Sequence, residues 1–129
     1  MSAEDNKRAA QDGYAAFAAG DVEAAMRDID DSIEWVVRGD NALTGTYRGK
    51  QELLGLWGKL AEHQLTVGPH DFIAEGNTVV ALVTGTIEGE TAETADILTY
   101  NDDGKLIKFD SLGDETISNR VFAKELQAT

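Results

Sequence analysis

The residue with the clearest chemical potential is Asp96, because it lies in a segment, residues 95–100, whose composition is otherwise that of a β-strand. A carboxylate on a half-buried strand must be exposed, paired or kept protonated by its surroundings. In the last state it becomes a group that can give or take a proton. The alternative is an outward-facing charge, since alternate positions of an antiparallel strand face water.

The size and charge of the chain limit what else it could do. Its 129 residues fit a single domain, residues 1–129, with one core. The 11 Lys and Arg residues are outnumbered by 24 Asp and Glu residues, which gives a net charge of −13. Because nucleic acids and anionic membrane surfaces attract clustered positive charge, we expect neither as a partner.

Side chains that usually bind metals are scarce. The sequence has no Cys and only two His, His63 and His70, so neither a thiolate site nor a His cluster is expected. We expect no metal and no other cofactor. No segment approaches the ~20 apolar residues of a membrane-spanning helix, and we therefore expect a cytoplasmic protein without a membrane partner.

The first half of the chain predicts three helices. Ser2 and Asp5 form a capping box for the first helix, which should end at Gly20. Asp21 caps a short second helix, and residues 50–63 form the third. The apolar positions of the second helix are Val22, Ala25, Met26 and Ile29, before an acidic turn at residues 30–32. The inward positions of the third are Leu53, Leu54, Trp57, Leu60 and Ala61.

Between and after these helices, the spacing at which apolar residues recur changes from about 3.6 residues to two residues. Residues 32–38 predict a first strand, and residues 39–49 predict a loop. The second half predicts a meander of four long strands, residues 64–75, 78–88, 91–100 and 105–115. Gly68 and Pro69 indicate a bend or bulge in the first of these, and residues 116–126 predict either a short helix or an extra edge strand. The fold class is therefore α+β, with helices covering the concave side of a curved antiparallel sheet.

Five short motifs follow one another in a recognisable order. They are Gly20-Asp21-Val22-Glu23-Ala24, Asp30-Asp31-Ser32-Ile33-Glu34-Trp35, Gly45-Thr46-Tyr47-Arg48-Gly49, Leu98-Thr99-Tyr100 and Asp103-Gly104-Lys105-Leu106. Over nearly the whole chain this order resembles the nuclear transport factor 2-like (NTF2-like) superfamily, and within it the SnoaL-like and ketosteroid isomerase-like group. The resemblance implies a cystatin-like, cone-shaped curved antiparallel sheet closed by three helices around a pocket, in a homodimer. It does not imply one reaction, since the superfamily includes isomerases, polyketide cyclases, dehydratases, epoxide hydrolases and non-catalytic domains.

The ketosteroid isomerase pattern is only partly present. Asp96 falls where those enzymes keep a protonated Asp in the oxyanion hole. Their general-base Asp aligns with Val37, which cannot accept a proton. Their catalytic Tyr aligns with Gly13, and Tyr14 is one residue later, about 100° round the helix, so its hydroxyl reaches the same place only if the helix is rotated. The resemblance therefore implies that ordinary 3-ketosteroid isomerisation is absent.

The remaining walls of the pocket follow from strand alternation and from the spacing of the family. Leu98 and Tyr100 share the strand face of Asp96. The predicted ligand-binding residues are Trp35, Val37, Trp57, Leu98, Tyr100, Phe109 and Ser111, and the candidate catalytic residues are Asp96 and Tyr14. For the aromatic residues the alternative is simple core packing.

Three functions remain open on the sequence. The first is an enzyme that uses Asp96 as a lone acid or base, with Tyr14 as donor, on a hydrophobic ketone, enol or polyketide-like substrate. The second is a non-catalytic binder of a small apolar ligand, in which Asp96 recognises one polar group. The third is a dimerisation module whose pocket is filled by its own side chains.

Overall fold

The computed structural model describes residues 2–123, which form four helices and six strands. The helices are α1 (Ala3–Ala18), α2 (Val22–Met26), α3 (Gly49–Glu62) and α4 (Thr116–Val121). The strands are β1 (Ile29–Val37), β2 (Gly45–Arg48), β3 (Thr66–Glu75), β4 (Thr78–Ile87), β5 (Glu90–Tyr100) and β6 (Leu106–Gly113). In this part of the chain, no helix combines the length and apolar character needed to cross a membrane.

All six strands belong to one sheet, in the order β2-β1-β6-β5-β4-β3. The α+β class is confirmed, but the sheet is mixed rather than wholly antiparallel, because β1 pairs with β6 in parallel. Four of its neighbouring pairs are antiparallel. The parallel pair escapes sequence analysis because β1 and β6 are far apart in the chain, so no hairpin fixes their relative direction.

Strand β2 lies in the segment that we predicted to be a loop. It pairs with β1 in antiparallel register, with Tyr47 opposite Trp35. The strand has four residues and is bounded by Gly45 and Gly49, which both have positive φ angles. Sequence analysis missed this strand because four residues are too few to show an alternation of polar and apolar side chains, and because glycines at both ends are typical of turns.

The predicted caps of the first two helices are confirmed, as is the end of the first helix before Gly20. Ser2 and Asp5 form the capping box of α1, and Gly20 follows the end of that helix with a φ of +74°. The Asp21 side chain accepts a hydrogen bond from the Ala24 N–H and caps α2. Helix α2 is shorter than predicted, because Ile29 already belongs to β1.

Two details of the helical and strand faces were wrong. In α3 the buried residues are Leu53, Leu56 and Trp57, whereas Leu54, which is 44% exposed, and Ala61 were wrongly predicted to face inward. The acidic residues 30–32 lie within β1 and not in a turn. The pairing of β1 with β6 is interrupted between Ile29 and Glu34, which gives these polar residues a strand position with little regular pairing.

The structure also decides two predictions for the second half of the chain, the bulge near Pro69 and the conformation of residues 116–126. The register between β3 and β4 shifts between Pro69 and Asp71, which confirms the predicted bulge. Of the segment 116–126, the first six residues form helix α4 and not an edge strand. Residues 124–126 lie outside the described residues.

The core lies where helices α1 and α3 pack against the sheet. Helix α1 packs against β3 and β4, and α3 packs against β1 and β2. The core between them is built from aliphatic residues that are almost fully buried, including Ile33, Leu53, Leu56, Val79 and Val83. Next to this core the sheet and the helices leave a cavity, and Leu56 and Val83 form part of its wall.

Candidate active site

The cavity between the helices and the concave face of the sheet has a volume of about 340 Å³. A cavity of this size is typical of sites for small organic ligands. The structure places every residue predicted for the site on its wall. These residues are Tyr14, Trp35, Val37, Trp57, Asp96, Leu98, Tyr100, Phe109 and Ser111.

Asp96 is the only buried carboxyl group among residues 2–123, and its side chain meets three hydroxyl groups. The Tyr14 hydroxyl donates to Oδ2 at 2.5 Å. The Ser111 hydroxyl donates to Oδ1 at 2.7 Å, and the Thr94 hydroxyl donates to the same oxygen at 3.2 Å. A carboxylate that would be costly to bury is thus surrounded by hydrogen-bond donors.

The sheet explains two of these contacts. Ser111 on β6 is the direct cross-strand partner of Asp96 on β5. Thr94 precedes Asp96 by two residues on the same strand, so both side chains project from the same face. Sequence analysis did not identify Thr94, although the alternation of strand positions could have found it.

Tyr14 reaches Asp96 because α1 presents this residue, one position after Gly13, to the cavity. Its ring packs edge-on against Phe72 of β3, with ring centroids 5.9 Å apart. This contact and the hydrogen bond to Asp96 fix the ring at both ends. The rotation of the helix that the sequence left open is therefore the one that brings the Tyr14 hydroxyl to the acid.

Burial dominates the electrostatics of the pair. It raises the pKa of Asp96 above the ordinary value of 3.8, although the hydrogen bonds from Ser111, Tyr14 and Thr94 act in the opposite direction. Burial also raises the pKa of Tyr14, and the negative charge of Asp96 raises it further. Tyr14 is therefore a neutral donor throughout the physiological pH range, while Asp96 is a base that takes up a proton more readily than an exposed Asp.

The two oxygens of Asp96 are not equivalent. Each carboxylate oxygen can accept about two hydrogen bonds. Oδ1 accepts from both Ser111 and Thr94, whereas Oδ2 accepts from Tyr14 alone. Oδ2 therefore keeps an open acceptor position, and it is the atom that can take a proton from a bound molecule.

Aromatic side chains form a large part of the cavity wall. Trp35 and Phe109 stack face to face, with centroids 3.7 Å apart and an angle of 9° between the rings. Trp57 packs edge-on against Trp35 at 5.8 Å, and Phe17 packs edge-on against Trp57 at 5.2 Å. These rings make part of the cavity wall apolar, and electrostatic interactions are stronger in apolar surroundings than in water.

The cavity lacks the second buried acid of the ketosteroid isomerase pattern and, within the described residues, a metal site. Val37 lines it with an aliphatic side chain where the ketosteroid isomerase pattern would place a base. Within residues 2–123, no three His, Asp or Glu side chains are grouped so that they could hold a metal ion. Other carboxyl groups, such as Asp28 and Glu90, line the cavity, but among residues 2–123 only Asp96 is buried, and it is the acid that the hydroxyl groups surround.

Known proteins resemble this chain in sequence pattern and in fold. The family model of the SnoaL-like domain matches residues 10–109. No curated protein sequence matches the chain. Bal32a, from a soil-derived mobile gene cassette, has a similar structure with a TM-score of 0.84 and 18% identity, over 93% of this chain and 97% of that one.

Two further solved structures are similar over almost their whole lengths. An NTF2-like protein from Burkholderia xenovorans has a TM-score of 0.77 and 26% identity, over 95% of this chain and 98% of that one. TerC, co-crystallised with polyporic acid, has a TM-score of 0.79 and 23% identity, over 92% of this chain and 97% of that one. These similarities confirm the predicted NTF2-like fold.

Proposed function

This chain belongs to the SnoaL-like domain family, and we propose that it is a proton-transfer enzyme that acts on a hydrophobic ketone or enol, of which polyketide-like molecules are one class. The proposal depends on a single observation, which is the hydrogen bond of 2.5 Å between the Tyr14 hydroxyl and the buried Asp96 carboxyl. The pair combines a base with a raised pKa and a neutral donor in one apolar cavity. These are the two groups that enolisation of a ketone requires.

The reaction needs only one acid–base group. Asp96 Oδ2 removes a proton from the carbon next to the carbonyl, and the electron pair of that C–H bond forms the C=C bond of an enolate. The negative charge then lies on the former carbonyl oxygen. Asp96 then delivers a proton to a conjugated carbon, which gives isomerisation, or, after its own proton has been replaced by one from solvent, to the same carbon, which gives hydrogen exchange.

Tyr14 stabilises the enolate in this proposal. While Asp96 is ionised, the Tyr14 hydrogen is bound to Oδ2. Once Asp96 carries a proton it attracts that hydrogen less strongly, because hydrogen bonds to a charged acceptor are the stronger ones. The hydroxyl is then available to the new oxyanion, so proton uptake by Asp96 and stabilisation of the enolate are coupled.

The walls of the cavity support an apolar substrate. Trp35, Trp57 and Phe109 offer flat aromatic surface, which suits a conjugated or ring-containing molecule. TerC, which shares the fold, was co-crystallised with the small molecule polyporic acid. A cavity of about 340 Å³ speaks against the hypothesis of a dimerisation module with a filled pocket. A non-catalytic binder remains the alternative that experiment must separate from the enzyme.

Hydrogen–deuterium exchange of an enolisable ketone tests the proposal directly. The probe is 2-tetralone in D₂O at a pD where its spontaneous exchange is slow, followed by proton NMR. We expect wild-type protein to accelerate exchange at the α-carbon. The Asp96→Asn variant should lose at least about 100-fold of that acceleration, which is the lower range for a missing acid–base group.

A matched control removes a different carboxylate from the same strand, β5. Glu93 lies on the same strand but is exposed on the opposite face, so Glu93→Gln should leave exchange unchanged. Equal loss in both variants would show a non-specific effect and would refute the role of Asp96. Binding of 2-tetralone without any exchange would replace the enzyme with a binder, and no binding at all would refute the ligand class.

A further inference from the structure

A second polar group faces the cavity on the strand that carries Asp96. Tyr100 lies four residues after Asp96 on the same face of β5 and lines the cavity. Its side chain is almost fully buried, with 3% exposed. Among residues 2–123, no atom forms a hydrogen bond with its hydroxyl group.

A hydroxyl group without a protein partner is unusual on a side chain that is almost fully buried. Most buried polar side chains of folded proteins have at least one hydrogen-bond partner, and each exception calls for an explanation. The Tyr47 hydroxyl shows the usual arrangement, since it donates to the Leu43 carbonyl oxygen at 2.7 Å. The free hydroxyl of Tyr100 in a ligand-sized cavity is explained if its partner is a bound molecule.

The surroundings of Tyr100 define the chemistry of that partner. Burial raises the pKa of Tyr100, and the negative charge of Asp28 raises it further, so the hydroxyl stays protonated and donates. Asp28 also lines this end of the cavity and disfavours a second anion there, although Lys105 lies 3.6 Å from it. A neutral acceptor oxygen, such as that of a carbonyl or an ether, fits this environment.

The spacing of the two polar groups sets the shape of the ligand. The backbone positions of residues four apart on a strand are separated by about 13 Å. The Tyr100 side chain is nevertheless close enough to Tyr14 to add to the effect of burial in raising the pKa of Tyr14, so the two hydroxyl groups lie nearer to each other than their backbones do. Between Asp96 and Tyr100, the face of β5 carries Leu98, and Ile29 and Leu106 line the cavity nearby. The cavity therefore has polar groups at two positions and an apolar section between them.

We propose that the natural ligand carries two oxygen functions separated by an apolar segment, and that the second, a neutral acceptor, binds the Tyr100 hydroxyl while the first lies at Asp96 and Tyr14. This inference rests on the proposed function, because it takes the Asp96 end as the site of the reacting carbonyl. It adds a determinant of specificity at the other end.

The test uses ketones that differ by one atom. A series of ω-methoxyalkan-2-ones, from 6-methoxyhexan-2-one to 10-methoxydecan-2-one, is compared with the alkan-2-ones in which a CH₂ group replaces the ether oxygen. The flexible chain lets the ether oxygen reach Tyr100 at one length or another. Dissociation constants come from the fluorescence of Trp35 and Trp57, which line the cavity.

Wild-type protein and Tyr100→Phe are compared in a double-mutant cycle. For each chain length, the dissociation constant of the alkanone is divided by that of the methoxyketone. At the chain length that gives the largest ratio, this ratio should fall by about 2- to 12-fold in Tyr100→Phe, which is the range for the loss of one neutral hydrogen bond. The control Tyr47→Phe removes a hydroxyl that already has a protein partner, and it should leave the ratio unchanged.

Each outcome separates this inference from the proposed function. If the ketones bind but no chain length shows a change of ratio in Tyr100→Phe, the second anchor is refuted while the Asp96 site stands. If Tyr47→Phe changes the ratio as much as Tyr100→Phe does, the effect is not that of the cavity hydroxyl and the inference fails. If no ketone binds at all, the ligand class fails and this inference fails with it.

Discussion

Replacing Tyr14 with Phe removes one hydroxyl and leaves the ring that packs against Phe72. The hydroxyl donates to Asp96 at 2.5 Å. A hydrogen bond to a charged group contributes about 1.5–3 kcal/mol, whereas a bond between neutral groups contributes about 0.5–1.5 kcal/mol. The free energy of unfolding of Tyr14→Phe should therefore fall by an amount that depends on the charge of Asp96.

The direction of the pH dependence follows from the pKa of Asp96. Burial raises that pKa above 3.8, so the wild type itself loses stability as the pH rises from 3.8 through the folded-state value. The Tyr14 hydrogen bond opposes this loss, because it lowers the pKa. Without it the folded-state pKa is higher still, and the variant continues to lose stability over a wider pH range. The destabilisation should grow from about 0.5–1.5 kcal/mol in acid to about 1.5–3 kcal/mol once Asp96 is ionised.

Urea denaturation at a series of pH values between 4 and 9 measures this difference. Tyr47→Phe is the control, because its hydroxyl donates to a backbone carbonyl that does not titrate. That variant should lose about 0.5–1.5 kcal/mol at every pH. A Tyr14→Phe deficit that is independent of pH, or one that shrinks as the pH rises, would show that Tyr14 does not stabilise an ionised Asp96.

Three further predictions address the same cavity. Asp96→Asn should stabilise the fold at neutral pH by about 1.4 kcal/mol for each unit by which burial raises the pKa of the acid, and urea denaturation should show this gain fading as the pH falls toward 3.8. Gly113→Ala should cost about 1–3 kcal/mol in thermal or urea unfolding, since its Cβ would lie 2.7 Å from the Glu93 carbonyl oxygen, whereas Gly85→Ala, whose nearest neighbour would be 3.9 Å away, should be tolerated. Wild type should show no useful turnover of a β,γ-unsaturated ketosteroid, and Val37→Asp should add a second acid to the cavity and raise that activity; strong wild-type turnover, or no gain in a folded variant, would contradict this.

Much of the fold is predictable because short stretches of sequence determine most of its helices and strands. The capping box at Ser2, the cap at Asp21 and the change from helical to strand periodicity fix the elements within a few residues. The parallel pairing of β1 with β6 and the short strand β2 are not local properties. They depend on which strands meet after the chain has folded, and no residue type at those positions signals the outcome.

The candidate site divides in the same way. Alternation showed which residues share the strand face of Asp96, and the resemblance to ketosteroid isomerases indicated that this face is the inner one. The contact of Tyr14 with Asp96 could not be inferred, because the rotation of α1 is set by its packing on β3, where Phe72 meets the Tyr14 ring. Alignment with the ketosteroid isomerase pattern pointed one residue earlier, to Gly13. A difference of one helical residue changes direction by about 100°, which only tertiary packing can decide.

The partners of two acids, Asp96 and Asp110, show why only the first is suited to proton transfer. Arg38 holds Asp110 with two hydrogen bonds of 2.7 and 2.8 Å, and this lowers the pKa of Asp110 and keeps it ionised. A guanidinium can only donate, so protonation of that acid would leave donors without an acceptor. The partners of Asp96 are all hydroxyl groups, which can donate to the carboxylate and can turn to accept from the acid. The cavity therefore satisfies Asp96 in both protonation states, which is the property that an acid–base group needs and that a structural ion pair lacks.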